Sequence, residues 1–216
     1  MAERVVVIDY GAGNLASVDN ALRVASDGGA TITVSASPAA IRNADRIVLP
    51  GVGAFGQCAG ALRAAPGVTD ALTTAVRERG VPFLGICVGM QLLASEGREH
   101  GVFHGLDWIG GAVERLAPAV VDGGPALKVP HMGWNTVSFA RDHAALAGVP
   151  RADRAYFVHS YRFAVADPAD LIATTDHGGE IAAIVGRDNL LGVQFHPEKS
   201  QGFGLGVLRG FLRWRP

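Results

Sequence analysis

Short continuous apolar runs alternate along the chain with segments whose apolar residues recur at helical spacing. Runs bounded by glycine, proline or polar residues predict buried strands, whereas apolar positions three and four residues apart predict helices. The predicted strands are 4–9, 31–34, 45–49, 81–86, 112–116, 134–139, 156–161, 171–175, 181–185 and 190–195. The predicted helices are 14–28, with Asn14 as N-cap, 54–64, 69–79, 88–95 and 203–214. We expect one α/β domain without internal repeats or linkers, and a loop over 96–111.

The most informative stretch joins a predicted strand to a predicted helix at Cys87. Gly85 and Gly89 flank this cysteine, which gives the G-x-nucleophile-x-G pattern of a nucleophile elbow with cysteine in place of serine. Glycine avoids side-chain collisions in such a tight turn, and a helix N-terminus lowers the pKa of a thiol. Most free cysteines are small buried hydrophobic residues. The elbow alone therefore favours a nucleophile without establishing one.

A second motif, His196-Pro197-Glu198, follows the last predicted strand. Proline keeps the preceding residue extended, and in an extended chain residues i and i+2 point to the same side. Glu198 can therefore hold one ring nitrogen of His196, which leaves the other nitrogen free to take a proton from a thiol. A lone histidine at a strand end is usually structural, but Cys87, His196 and Glu198 together supply a complete catalytic triad.

Composition and charge narrow the class of protein. The 216 residues carry a formal net charge of −1. The charge therefore does not predict binding to nucleic acid or to an anionic membrane surface. No apolar run reaches the ~18 residues of a membrane span. The chain enters a predicted strand at once, so we expect no signal peptide. Two cysteines, Cys58 and Cys87, are too few for a disulfide framework, and a reactive thiol persists best in a reducing compartment, so we expect a cytoplasmic protein.

Three further motifs leave alternatives open. Residues 11–16 match G-x-G-x-x-A, but no acidic residue follows the second strand to hold a ribose, so a glycine-rich turn facing a ligand or a partner is favoured over a dinucleotide site. Residues 50–53, Pro-Gly-Val-Gly, can offer N–H groups to an oxyanion or can simply turn the chain. His100 and His104 have helical spacing but lack further ligands. We expect no metal and no cofactor.

Taken together, these motifs resemble the class I glutamine amidotransferases, in which a G-x-C-x-G elbow is paired with a later His-Pro-Glu. The closer resemblance is to the glutaminase subunits of imidazole glycerol phosphate synthases of histidine biosynthesis. It spans nearly the whole chain, in segments 8–14, 50–53, 85–91, 130–135, 156–160 and 196–200. Val88 departs from the family's usual leucine, but only its backbone N–H is expected to act. The resemblance implies a flavodoxin-like open, mostly parallel sheet flanked by helices, with additional antiparallel strands.

The resemblance also implies a role for individual residues. Cys87 would attack the side-chain amide of glutamine, His196 would move protons and Glu198 would orient His196. N–H groups of Val88 and of the segment Gly51–Val52 would hold the oxyanion. The implied glutamine-binding residues are Gly53, Gln91, His159, Ser160 and Tyr161. The implied partner-interface residues are Asn14, Met132 and Trp134, with Tyr156 and Lys199 near the ammonia exit.

Ammonia released into neutral water is mostly protonated and no longer nucleophilic, so it must be delivered directly to an acceptor. The family resemblance implies a separate cyclase subunit, a (β/α)8 barrel, forming a heterodimer with this chain. Other functional hypotheses also remain open. They are a glutaminase serving anthranilate or pyridoxal phosphate synthesis, a free-standing cysteine peptidase or esterase, and a binding module that keeps the fold without catalysis.

Overall fold

The computed structural model describes residues 2–119 and 127–216, so the middle of the Pro- and Gly-rich interval before Trp134 lies outside the described residues. The strands are β1 (Glu3–Ile8), β2 (Ala30–Ser35), β3 (Arg46–Gly51), β4 (Phe83–Cys87), β5 (Glu96–Gly97), β6 (Phe103–His104), β7 (Gly111–Arg115), β8 (His131–Phe139), β9 (Ala152–His159), β10 (Tyr161–Val165), β11 (Leu171–Asp176), β12 (Glu180–Arg187) and β13 (Leu190–Val193). The helices are α1 (Leu15–Ser26), α2 (Pro38–Arg42), α3 (Phe55–Ala64), α4 (Val68–Thr73), α5 (Val88–Gln91) and α6 (Gln201–Arg213).

Nine strands form one large sheet in the order β2-β1-β3-β4-β13-β12-β11-β8-β9. The ladders from β2 to β13 are parallel, and those from β13 to β9 are antiparallel. Strand β3 is buried along its whole length, as a parallel strand covered by helices on both faces should be. The predicted α/β fold with added antiparallel strands is confirmed, and the antiparallel strands contribute half of the ladders.

A second, four-stranded sheet in the order β10-β7-β5-β6 corrects the predicted loop over 96–111. The two-residue strands β5 and β6 are too short to show a hydrophobic period. The predicted strand 156–161 is also divided, because the chain leaves the large sheet after His159 and enters the small sheet at Tyr161. Both corrections concern strand boundaries that depend on pairing with distant parts of the chain, which local sequence does not show.

Several helix predictions also change at their boundaries. Helix α2 is missing from the predictions. Helix α4 continues as a π-helical turn over Thr74–Glu78. Helix α5 ends at Gln91 instead of residue 95, because the N–H groups of Leu93 and Ala94 bond to carbonyls only three residues back. Asn14 does occupy the N-cap position of α1, although its side chain makes no capping hydrogen bond.

The carboxyl ends of the parallel strands meet at one edge of the large sheet, where open α/β sheets bind their ligands. Strands β3, β4 and β13 are neighbours there, with Gly51 opposite Cys87 and Ile86 opposite Val193. Within residues 2–119 and 127–216, none of the helices has both the length and the apolar character that crossing a bilayer requires.

Candidate active site

Cys87 ends β4 and begins α5 in a strained backbone conformation, with φ +56° and ψ −113°. Such a conformation costs on the order of 1–3 kcal/mol for a residue other than glycine. The flanking glycines make the turn possible. A Cβ atom on Gly89 would lie 1.8 Å from the carbonyl oxygen of Leu49, and one on Gly85 would lie 2.5 Å from that of Gly89. The elbow predicted from the sequence is therefore present, and both glycines are sterically required.

His196 follows β13 and lies against Glu198, as the spacing predicts. The ring Nδ1 donates to Glu198 Oε1 at 2.8 Å. The backbone is fixed as well, since the N–H of His196 donates to the Tyr156 carbonyl at 3.0 Å and its carbonyl accepts from the Ser200 hydroxyl at 2.6 Å. Glu198 Oε2 is buried without a partner among the described residues. Among the described residues, the carboxylate therefore hydrogen-bonds only to the histidine.

The Cys87 thiol and the His196 ring line the same cleft and interact with each other. Burial acts to lower the pKa of His196, but the hydrogen bonds and charges of Cys87 and Glu198 outweigh it and raise the pKa to about 9. At neutral pH the imidazole therefore favours its protonated form, beside the sulfur of Cys87. A thiolate paired with an imidazolium is the reactive form of a cysteine nucleophile.

A cleft of about 370 Å³ opens in front of Cys87. It brings together most of the residues singled out in the sequence, which are Val52, Gly53, Val88, Gln91, His159, Ser160, Tyr161, His196 and Lys199. Glu99, Pro130 and Val158 complete the lining without having been predicted. Glu198 lies behind His196, and Gly51 pairs with Cys87 in the sheet. No group of three or more His, Cys, Asp or Glu side chains with metal-binding geometry occurs among the described residues.

Two buried side chains hold the segment Pro50–Gly53 beside the cleft. The Tyr10 hydroxyl donates to the Pro50 carbonyl at 2.9 Å, and the Cys58 thiol donates to the Val52 carbonyl at 3.2 Å. Burial, ahead of other causes, raises the pKa of both Tyr10 and Cys58, so both stay protonated and remain donors. The segment is thus fixed on both sides of the Gly51–Val52 peptide, while the Val52 side chain is 42 % exposed.

Sequence reasoning missed Gln194 and Glu99. Gln194 is fully buried; its Oε1 accepts from Gln91 Nε2 at 3.0 Å, and its own Nε2 points to Cys87 Sγ at 3.8 Å. A single amide inside the apolar run 190–195 was the available signal. Glu99 accepts from the first N–H of α3, on Phe55, at 2.7 Å and is part of the cleft lining. No local pattern distinguishes Glu99 from other surface glutamates.

A row of side chains connects the cleft with an exposed face of β8. Lys199 Nζ lies 5.9 Å from the centre of the Tyr156 ring, and Trp134 packs edge-on against that ring at 6.0 Å. Met132 and Trp134 are 62 % and 39 % exposed. The predicted strand begins at Trp134, and the structure extends it back to His131, so that Met132 lies on the same strand. Asn14 lies at the same edge of the sheet, next to Gly13, which packs on Pro50.

Comparison with known proteins agrees with this geometry. Residues 6–212 match the family described as glutamine amidotransferase class-I. The chain is 54 % identical to "Imidazole glycerol phosphate synthase subunit HisH" of Rhodospirillum rubrum, over 99 % of this chain and 100 % of the relative. The protein of the same name in Zymomonas mobilis is also 54 % identical, over 98 % and 96 % of the two chains.

Solved structures give the same fold at much lower identity. A crystal structure described as a glutamine amidotransferase superposes with a TM-score of 0.71 over 96 % of both chains at 18 % identity. At that identity the likeness shows the fold alone. The family assignment rests on the sequence matches, and by these this chain belongs to the class-I glutamine amidotransferases and, within them, to the HisH subunits of imidazole glycerol phosphate synthase.

Proposed function

We propose that this chain hydrolyses L-glutamine to glutamate and ammonia with Cys87, His196 and Glu198 as its triad, and passes the ammonia to a cyclase subunit. The observation that carries the proposal is the strained elbow cysteine facing a histidine that is bonded to Glu198 at 2.8 Å, at the base of a cleft of amino-acid size. The names of the relatives support the cyclase as partner. A reducing, cytoplasmic setting suits two free buried cysteines.

In the first half of the reaction the Cys87 thiolate attacks the side-chain carbonyl carbon of glutamine. The negative charge that develops on the carbonyl oxygen is held by the N–H of Val88 and by the Gly51–Val52 segment, where one lost donor costs roughly 3 kcal/mol. The His196 imidazolium then gives its proton to the departing nitrogen. The C–N bond breaks, ammonia leaves, and a glutamyl thioester remains on Cys87.

In the second half water hydrolyses the thioester. Neutral His196 takes a proton from water, the hydroxide attacks the thioester carbon, and the C–S bond breaks to release glutamate and the thiolate. Glu198 stabilises the imidazolium each time it forms. Gln91 and Glu99 line the cleft where the amino-acid end of the substrate is held, and the Glu99 carboxylate suits a substrate ammonium group.

The row formed by Lys199, Tyr156 and Trp134 leads from the cleft to the exposed face of β8, and we place the ammonia exit and the cyclase contact there. Exposed aromatic and methionine side chains are typical of protein interfaces. A (β/α)8 barrel cyclase would accept the ammonia at this face. It would form imidazole glycerol phosphate and an aminoimidazole carboxamide ribotide.

The decisive experiment measures glutamate release by this chain alone, with the cyclase subunit of an imidazole glycerol phosphate synthase, and with that subunit plus its ribonucleotide ligand. We expect low activity alone and a strong rise with partner and ligand. Stimulation by a different synthase would reassign the pathway. No glutamine turnover under any of these conditions would contradict the amidotransferase function and return the free-standing hydrolase to consideration.

The interface can be tested separately. We expect Trp134→Ala to weaken association with the cyclase by about tenfold or more, because buried tryptophans are frequent energetic centres of interfaces. Glutamine hydrolysis by the isolated chain should change little. The matched control is Val24→Ala, which removes another exposed apolar side chain, 58 % exposed, at the other end of α1 from Asn14. Equal weakening by both variants in a binding titration would contradict the assignment of this face.

The pKa of His196 gives a pH prediction. Because the folded-state pKa is raised to about 9, the imidazolium is present at neutral pH and is lost as the pH rises through about 9. We expect kcat/KM for glutamine to fall over that range, since the departing nitrogen then lacks its proton donor. The same raised pKa stabilises the fold fully below the unfolded value of about 6.5, and this contribution is lost toward pH 9.

Glu198→Gln separates this cause from a general alkaline loss of structure. The neutral amide no longer favours the imidazolium, so the alkaline fall in kcat/KM should move to lower pH, together with a lower maximum rate. A fall that stays at the same pH in this variant would show that another group controls it.

A further inference from the structure

A second group of histidines adjoins the cleft, where His159 forms part of the lining. Strands β8 and β9 pair His131 directly with His159. Nδ1 of His131 lies 2.9 Å from Nε2 of His159, and Nδ1 of His159 lies 2.8 Å from the Tyr161 carbonyl oxygen. At the other end, Asn135 Nδ2 lies 3.0 Å from Nε2 of His131. Both histidines are at least nine-tenths buried.

The chemistry of the two ends fixes the direction of every hydrogen bond in this row. A carbonyl oxygen only accepts, so Nδ1 of His159 carries the hydrogen and its Nε2 must accept when the ring is neutral. His131 therefore donates from Nδ1 and accepts at Nε2. The Asn135 amide group supplies that last donor, and its second hydrogen goes to the Asp176 carbonyl at 2.7 Å. Asn135, His131 and His159 thus form a relay in which every member donates toward Tyr161.

The relay ends at the group that orients Gln91. The Tyr161 carbonyl accepts from His159 and also from Gln91 Nε2 at 3.1 Å, and the second hydrogen of that amide goes to Gln194. Both hydrogens of Gln91 are therefore engaged, and its Oε1 accepts from no described residue. Gln91 is part of the cleft lining, and an amide oxygen there suits the ammonium or amide hydrogens of an amino-acid substrate.

We propose that Asn135, His131 and His159 are positioning residues for glutamine hydrolysis, with Asn135 setting the donor direction that fixes the Tyr161 carbonyl and, through it, the Gln91 amide. The inference rests on the proposed glutaminase function and adds a cause for the orientation of its substrate site. It also gives a role to the paired motifs around residues 131–135 and 156–161, which the triad does not use.

The surroundings keep both rings neutral. Burial is the first cause that lowers the pKa of His131 to about 3 and of His159 to about 4, and the nearby His177 adds to it for both. His177 stacks on His131 with ring centres 4.3 Å apart, and Phe157 covers the opposite face of the ring at 4.7 Å. His196 also disfavours charge on His159. The tautomers are thus set by hydrogen bonding and are constant across the working pH range.

Asn135→Asp tests the relay with almost no change in shape. A carboxylate accepts where the amide donated, so Nε2 of His131 must carry a hydrogen. Near about pH 6 the ring can take up a second proton beside the new carboxylate and still donate to His159. At about pH 8.5 it loses that proton, and the donor direction reverses. We expect KM for glutamine to rise roughly tenfold at the higher pH and much less at the lower one, with kcat less affected.

The matched control is Thr136→Asp, which adds the same charge one residue along β8, on an exposed side chain outside the relay. Its KM should stay within roughly twofold of wild type at both pH values. A rise in KM for Asn135→Asp that is equal at both pH values, or that Thr136→Asp reproduces, would overturn the proposal.

Nitrogen-15 NMR of the histidine rings in the wild-type chain reads the relay independently of activity. We expect His131 and His159 both to carry their hydrogen on Nδ1, with assignments from single His→Gln variants. An Nε2–H tautomer at either residue would overturn the inference. Glutamine turnover that fails with the correct tautomers present would instead count against the proposed function.

Discussion

We expect the replacement of Cys87 with alanine to lower the rate of glutamine hydrolysis by a factor of at least about 10⁴, with or without the cyclase. Removal of a covalent nucleophile costs on that order or more in enzymes with a comparable triad, because the remaining groups then only assist direct attack by water. The fold should be kept, since alanine fits the buried space and can occupy the strained backbone at this position. Glutamate release and thermal unfolding, measured on the same preparation, check both halves of the prediction.

Labelling gives the control for this variant. Iodoacetamide should modify the native wild-type chain at Cys87, which lines the cleft, and leave the alanine variant largely unmodified, because Cys58 is not part of that lining and burial raises the pKa of its thiol. Retention of more than about one per cent of wild-type glutaminase activity by Cys87→Ala would show that the covalent mechanism is wrong.

The second large effect is structural. Gly89→Ala places a Cβ atom 1.8 Å from the Leu49 carbonyl oxygen, a contact with backbone in the central sheet that no side-chain rotation relieves. We expect a loss of at least about 3 kcal/mol in the free energy of unfolding, which for a chain of this size lowers the melting temperature by roughly 6–12 °C. Activity should also be lost, because relief of the clash moves the elbow.

Gly60→Ala is the matched control. Gly60 lies in α3, is exposed, and has no atom within 4 Å of an added Cβ. Alanine should stabilise the chain there by roughly 0.5–1 kcal/mol, through its better helix propensity. Urea unfolding compares the two variants directly. Similar stability for both variants would contradict the prediction, because it would mean that the elbow accepts a side chain at residue 89 despite the close Leu49 carbonyl.

The fold could be predicted where secondary structure follows from local sequence. The strands that became β1, β3 and β4 are apolar runs beside helical segments, and such alternation predicts a parallel sheet. Strands β5 and β6 carry no periodicity because each has two residues. At Ser160 the chain passes from the large sheet to the small one, and no local sequence property predicts this change. The short helix at residues 38–42 begins with proline after a capping serine, a signal that was present and not used.

The distinction between local sequence and tertiary pairing also decides which parts of the site could be predicted. The relation between Cys87 and its glycines, and that between His196 and Glu198, depends on neighbours one or two residues away, so the sequence predicts it. Gln194 acts through Gln91, which lies 103 positions earlier in the chain. The pairing of His131 with His159 needs the register of two antiparallel strands. Such partners exist only once the sheet has formed.

The central ladder also constrains how this enzyme can be controlled. Cys87 ends β4 and His196 follows β13, and these two strands are parallel neighbours about 4.8 Å apart, so backbone hydrogen bonds anchor the segments that carry both residues. Separating them would require breaking the middle of the sheet. Val52 is the first residue beyond the paired end of β3, and no ladder holds its backbone N–H. A signal from a bound partner can therefore act on the electrophilic side of the reaction by changing two side-chain hydrogen bonds, those of Tyr10 to Pro50 and of Cys58 to Val52, while the nucleophile and its base stay assembled.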